Sequence, residues 1–198
     1  MNAAAALIRL PGGQRLKKKI YFDWPDRLAL SEQQEIYSLM NLILEREDAF
    51  GFPGPLAWDE GMSLMMNASE ELRRGFRRIL LAREQGTNAI VGHLVLLPNK
   101  TPDSGHTGEI SQVFVHPSYR GVGVLENGLK ELVLESERLG IEVLNLEVRA
   151  DSRLHRLWQA LGFETIGTVK NYTRLDGVSF DGCYMRQVVK QLREKNQF

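Results

Sequence analysis

Cysteine is nearly absent: Cys183 is the one thiol in 198 residues. A lone cysteine excludes an internal disulfide and fits a reducing compartment. An excess of either charge is also absent, since 25 basic residues balance 25 acidic ones for a formal net charge of zero. Nucleic acid is therefore not expected as a partner, because bulk electrostatics gives it nothing to bind. No apolar run approaches the roughly 20 residues of a spanning helix, so no membrane association is expected. His93, His106, His116 and His155 are dispersed along the chain. None stands at metal-ligand spacing from another, and no metal is expected. Internal repeats, low-complexity tracts and a dividing linker are missing too. The opening "MNAAAALIRLPGGQR" lacks the early basic charge and sustained apolar core of a secretory signal. The expectation is a flexible, frayed segment over residues 1–13, a single domain over 14–198, and a cytoplasmic location.

What the chain does have is a succession of strand and helix patterns. "LKKKIYFDW" reads as a strand ended by Pro25. Ser31 is placed to cap a helix whose apolar positions are Ile36, Leu39, Met40, Ile43 and Leu44. Prolines and glycines in "FGFPGPLAW" end it, and a second helix covers about Asp59 to Arg74. "FRRILLARE" and "NAIVGHLVLLP" are strands joined at "QGTN", and "EISQVFVHP" is a third. Alternation in that third strand puts Glu109, Ser111, Val113 and Val115 on one face, with Ile110, Gln112 and Phe114 on the other. A helix with the stripe Leu125, Leu129, Leu132, Val133 and Leu139 follows, ended by Gly140. After the β-patterned "IEVLNLEVR", Asp151 or Ser152 caps a short helix bearing Leu154, Leu157, Trp158 and Leu161. Gly162 stops it, and "FETIGTVKNYTRL" and "GCYMRQVV" close the chain as strands joined through "DGVSFDG". The order β-α-α-β-β-β-α-β-α-β-β mixes antiparallel neighbours with one β-α-β crossover. It predicts a single α/β domain built on a mixed sheet.

Between the third strand and its helix lies "VHPSYRGVGVLENG". A Walker A loop is excluded because no Lys-Ser/Thr pair closes the glycine segment. A dinucleotide fingerprint needs a small residue where Glu126 stands, and a place at the first strand of a doubly wound array. A third reading is a nest: the backbone N–H groups around Arg120, Gly121, Val122 and Gly123 converge at a helix N-terminus, whose dipole suits a pyrophosphate.

"VFVHPSYRGVGV" resembles motif A of the GNAT acyltransferase superfamily, Q/R-x-x-G-x-G/A after a strand. "VRADSRLHRLWQALGFETIG" resembles its motif B, N-x-x-A-x-x-L-Y-x-x-x-G-F, and the strand order matches from about Gln14 to Val189. The resemblance implies the GNAT fold and acetyl-CoA, or another acyl-CoA, as co-substrate. It implies pyrophosphate binding by Arg120, Gly121, Val122, Gly123, Val124 and Leu125, with Asp151 and Trp158 at the motif B positions of the cofactor site. It implies further that the pantetheine arm lies between splayed strands, Val113, Phe114 and Val115 on one side and Leu144 to Leu146 on the other. The Val115 N–H then polarises the thioester carbonyl. Two residues depart from the pattern. Leu125 stands where motif A has Gly or Ala, and Trp158 where many relatives have a tyrosine that protonates the departing thiolate. An indole N–H has no useful acidity near neutral pH.

The implied activity is transfer of an acyl group to a primary amine of a small molecule or amino acid in a ternary complex. Such a transfer needs proton removal from the amine and stabilisation of an oxyanion. Glu109 is the expected base and Tyr172 the expected acid, with Tyr184 as another phenol. Phe50, Phe52, Trp58 and Ser111 are the expected acceptor-binding residues, with Glu45, Glu47 and Asp48 able to attract a cation. His93 is expected to be structural. A homodimer is a family-level expectation. Two alternatives stay open: a CoA-binding or regulatory module without transferase activity, and an acyltransferase with a non-acetyl donor.

Overall fold

The computed structural model describes residues 3–9, 15–45, 52 and 54–197. The elements run β1 (Ala3–Arg9), β2 (Arg15–Asp23), α1 (Leu30–Leu44), α2 (Trp58–Arg73), β3 (Arg78–Glu84), β4 (Ile90–Pro98) and β5 (Thr107–Val115). A 3-10 turn (Pro117–Tyr119) leads into α3 (Val124–Arg138), β6 (Val143–Arg149), α4 (Arg153–Leu161), β7 (Glu164–Leu175), β8 (Val178–Val188) and α5 (Val189–Asn196). All the strands join one sheet in the order β1-β2-β3-β4-β5-β6-β8-β7. Neighbours are antiparallel except β5 and β6, the parallel pair that α3 connects. The mixed α/β architecture expected from the sequence is therefore present.

Three local expectations are corrected. The N-terminal segment expected to be frayed contains β1, paired antiparallel with β2 from Ala3↔Tyr21 to Arg9↔Arg15. Helix α1 begins one residue before Ser31, and its first turn is capped from inside: the Glu32 carboxylate accepts the Ala29 N–H at 2.7 Å. The last two strands are joined by a two-residue turn at Asp176 and Gly177, both at positive φ, rather than by the longer "DGVSFDG" connection. Two left-handed residues match the twist of the strands they join.

Two apolar layers sandwich the sheet. On one face Leu80, Leu94, Leu96, Ile110, Leu144, Leu146 and Met185 pack under α3, α4 and α5. On the other, Ile79, Leu81, Val95 and Phe114 pack under α1 and α2. The Glu135 carboxylate fastens α3 to β3, accepting from Arg78 at 2.8 Å and from Arg138 at 2.7 Å. The α1–α2 layer stops at β5, and the same face of β6 and β8 carries the exposed residues Glu147, Tyr184, Arg186 and Val188.

One irregularity decides where the β5 side chains go. Register with β4 shifts between Val95↔Ser111 and His93↔Phe114, so β5 holds an extra residue there. Gln112 lies at φ +48 in this bulge, a conformation that costs a non-glycine residue about 1–2 kcal/mol. The bulge reverses the alternation beyond it. Ile110 and Val113 both pack toward α3, and Phe114 packs toward α1 and α2. The expected grouping of Val113 with Glu109 and Ser111 is thus wrong, because strict alternation fails across an inserted residue. Among the described residues, no helix is long and apolar enough to cross a membrane.

Candidate active site

The parallel strands part company halfway along. β5 and β6 pair at Thr107↔Val143, Gly108↔Leu144 and Glu109↔Asn145. Past that point β5 stays with β4 as far as Val115↔Gly92, and β6 stays with β8 as far as Arg149↔Gly182. A wedge opens between them. The expected splay at Val113 to Val115 lies inside it, but Leu144 is still paired to Gly108, so on β6 the open stretch begins after Asn145.

Backbone alternation tells which amides face the wedge. The His116 N–H donates to the Val91 carbonyl at 2.9 Å, toward β4. Val115 therefore turns its N–H and C=O the other way, toward β6, and so does Val113. Phe114 points its backbone at β4 and buries its ring against His93, centroids 5.5 Å apart, so it offers the wedge neither group. The Val115 carbonyl accepts from Arg120 Nε at 3.0 Å, which folds that guanidinium across the wide end of the wedge.

The glycine segment sits at that same end. Gly121 (φ +68) and Gly123 (φ +85) are both left-handed, and Gly123 is the N-cap of α3. Side chains rarely adopt such φ values. A Cβ at Gly121 would meet nothing within 4 Å, so open space faces the turned backbone. Asn127 holds the turn by donating from Nδ2 to the Gly123 carbonyl at 2.7 Å. Leu125 turns its side chain into the core beside α3, and Val122 packs by Ile20, Tyr119 and Val124. The backbone of this turn, the helix dipole and Arg120 are groups that could hold a pyrophosphate here.

A row of ionisable groups crosses the uncovered sheet face. Glu109 on β5 pairs with Asn145, two residues from Glu147 on β6, and Glu147 stands opposite Tyr184 on β8. Burial first, and the Glu147 charge second, push the Glu109 carboxyl above its usual range. The Glu147 carboxylate likewise pushes the Tyr184 phenol up, with smaller contributions from burial, a hydrogen bond to Glu147 and the Glu109 charge. Tyr172 lies one strand further out on β7, edge-on to Tyr184 with centroids 6.1 Å apart. Ser111 is half-buried, and its alternation with Ile110 turns it to the same face as Glu109.

The other expected residues are scattered more widely. Phe52 packs into the α1–α2 layer. Trp58 is 51% exposed at the start of α2, edge-on to Tyr37 at 5.2 Å. Phe50, Glu47 and Asp48 lie outside the described residues. The chain entering α2 is pinned by Asn41, which donates to the Leu56 carbonyl at 2.9 Å and accepts the Leu56 N–H at 3.0 Å. Ser152, not Asp151, caps α4, accepting the His155 N–H at 3.0 Å. Asp151 occupies the turn before it at φ +57. Trp158 is only 4% exposed, edge-on to Phe163 at 5.1 Å, which makes it a core residue of α4. Cys183 is buried in the same layer. Among the described residues, no group of three His, Cys, Asp or Glu could hold a metal ion. Glu147 escaped the sequence reading, although alternation along "IEVLNLEVR" sets Asn145 and Glu147 apart from the buried Leu144 and Leu146.

The sequence matches the acetyltransferase (GNAT) family model over residues 36–163, a span that holds the wedge, the nest and α4. No curated protein matches the chain in sequence. Several solved structures share its fold. A ribosomal-protein-alanine N-acetyltransferase from Brucella melitensis is 20% identical, with a TM-score of 0.69 over 85% of this chain and 99% of that one. A phosphinothricin acetyltransferase from Sinorhizobium meliloti, in complex with AcCoA, is 18% identical, with a TM-score of 0.69 over 85% and 88%. An N-acetyltransferase from Staphylococcus aureus is 19% identical, with a TM-score of 0.69 over 86% and 98%.

Proposed function

Because this chain belongs to the GNAT acetyltransferase family, we propose that it moves the acetyl group of acetyl-CoA directly to a primary amine of a small molecule or amino acid. The parting of β5 from β6 beside a two-glycine helix N-terminus carries this reading. The Sinorhizobium relative solved with AcCoA supports the donor. Acetyl-CoA supplies an activated acyl carbon and a thiolate leaving group.

In this reading the N–H groups from Gly121 to Leu125, with Arg120, bind the pyrophosphate. Val113 and Val115 turn their amides to the wedge, and Val115 donates to the oxyanion that develops as the C–N bond forms. Glu109 takes the proton that the amine nitrogen must lose. Its raised pKa brings it nearer the working pH, where a general base is most effective. When the C–S bond breaks, the sulfur takes a proton from the Tyr172–Tyr184 pair, and Tyr184 is the phenol that both carboxylates keep protonated. This arrangement removes the need for a phenol at Trp158. Ser111, Phe52 and Trp58 are the acceptor-side residues in this reading, and a homodimer in the cytoplasm belongs to the same proposal.

Calorimetry with acetyl-CoA, followed by an amine screen with thiol detection, tests the assignment. Micromolar to millimolar donor binding and amine-dependent thiol release are expected. Absence of binding at millimolar acetyl-CoA, with binding of a longer acyl-CoA, would move the donor. Donor binding without turnover on any amine would favour a CoA-binding module.

A further inference from the structure

The bulge at Gln112 determines which β5 amides reach the wedge, and two side chains hold it. Before the bulge Ser111 pairs with Val95, and after it Phe114 pairs with His93. An unbulged β5 would turn the amides of Gln112 and Phe114 toward β6. The inserted residue substitutes Val113 and Val115, with Phe114 drawn back to β4. In the bulge the half-buried Gln112 has no ladder partner on β4, and its carbonyl needs another donor. The His93 ring supplies one: its Nδ1 lies 3.0 Å from the Gln112 oxygen. The ring is 5% exposed and stacks on Phe114 at an interplanar angle of 18°. Arg77 Nη1 meets the Gln112 side-chain oxygen at 3.3 Å, while Arg77 Nε is anchored on Glu71 at 2.8 Å.

We propose that His93 is a positioning residue for acyl transfer, acting through the Gln112 carbonyl to hold the bulge that aims the Val113 and Val115 amides into the wedge. This rests on the donor reading above. A carbonyl only accepts, so His93 Nδ1 carries the proton and Nε2 does not. Burial, aided by the Arg77 charge, pushes the ring down to about 4 against the opposing Gln112 bond, so it stays neutral in that tautomer at physiological pH. His93 touches neither acceptor nor acyl group in this scheme. Its effect is the direction of two N–H groups.

Two variants separate the donor from the ring. His93→Phe keeps the stack on Phe114 and removes the donor. His93→Asn removes the ring and keeps an N–H near the Nδ1 position. Two readouts follow. Hydrogen exchange in the free protein reports the bulge, with Phe114 and His116 amides protected and Val113 and Val115 amides fast. Infrared spectra of bound carbonyl-labelled acetyl-CoA report the thioester hydrogen bond. In His93→Phe, protection at Phe114 is lost and the carbonyl shift is abolished. The donor Kd stays within about threefold, while kcat falls about 10²-fold at unchanged KM for acetyl-CoA. His93→Asn recovers the carbonyl shift and most of kcat. If His93→Phe keeps the wild-type exchange pattern and carbonyl frequency, the proposal is overturned. If wild-type protein binds no acetyl-CoA, the donor reading is overturned and the catalytic role of His93 goes with it, so the two failures look different.

Discussion

Glu147 and Tyr184 stand directly opposite each other on β6 and β8, and the carboxylate holds the phenol above its ordinary pKa. The same carboxylate acts on Glu109 one strand away, where burial is the larger cause of an upward shift and Glu147 the smaller. The proposed base and phenol are thus coupled through one acidic residue whose charge acts on both.

That coupling predicts how the pH–rate profile moves. Glu109 must be ionised to accept a proton, so kcat/KM falls as pH drops through its raised pKa. Glu147→Gln removes the like charge and leaves the burial, so the Glu109 pKa falls and the acidic limb moves to lower pH. Glu109→Gln removes the limb and lowers kcat/KM by about 10²–10⁴-fold. The profiles of the three proteins between pH 4 and 9 check this, using whichever amine the screen returns. A limb that stays in place in Glu147→Gln would refute the coupling.

Stability should depend on acid through Glu135. Burial alone would raise this carboxyl, but Arg138 and Arg78 override it and hold the pKa below the usual carboxylate value. A depressed folded pKa stabilises above the unfolded pKa, and that stability is lost as pH falls through the folded value. Urea unfolding at pH 7 and at pH 3 should therefore show a wild-type loss that Glu135→Gln reduces. At pH 7 the variant leaves Arg78 paired with the exposed Asp26 at 3.1 Å but without its Glu135 charge partner, and a loss of about 2 kcal/mol is expected. Equal pH dependence in both proteins would show that the Glu135 charge is not what fastens α3 to β3.

Much of this fold was legible because its signals are local. Helical stripes such as Leu129, Leu132 and Val133 mark one buried face, and Gly140 and Gly162 at positive φ end their helices where the sequence places them. The glycine turn before α3 was legible because Gly121 and Gly123 have a backbone reason to be glycine. The bulge was not, since Gln112 carries no mark of a left-handed conformation and its stability comes from His93 and Arg77, distant in sequence. The split of the proposed catalytic groups over β5, β6 and β8 was hidden for a similar reason. Insertion of β8 between β6 and β7 brings Tyr184 beside Glu147, and pairing order follows from tertiary packing rather than from local pattern.

The nest predicts a difference between two glycines with the same backbone strain. Gly121 and Gly140 have φ of +68 and +72, and a Cβ at either would meet nothing within 4 Å. Alanine at each should destabilise by about 1–2 kcal/mol. Gly121→Ala also places a methyl group where the pyrophosphate approaches the backbone, and should weaken acetyl-CoA binding at least tenfold. Gly140→Ala, at the far end of α3, should leave the Kd unchanged. Calorimetry and thermal melting of both variants check this, and equal Kd values would remove Gly121 from the donor site.

The two exposed phenols are separable by the same comparison of neighbours. Tyr172 and Tyr184 are each 38% exposed, so neither substitution by phenylalanine should cost much stability. Tyr184 alone is opposite Glu147 and influenced by Glu109, whereas Tyr172 lies over Gly182, where a Cβ would overlap its ring. If Tyr184 protonates the departing sulfur, Tyr184→Phe should lower kcat about 10²-fold and leave donor binding intact. The loss should shrink with an acyl donor whose thiol is more acidic, because a better leaving group needs less protonation. Tyr172→Phe should lower kcat severalfold at most, through looser packing of Tyr184. Rates for both variants with a donor pair of different leaving-group acidity decide the assignment, and a larger, leaving-group-dependent loss in Tyr172→Phe would transfer the role to Tyr172.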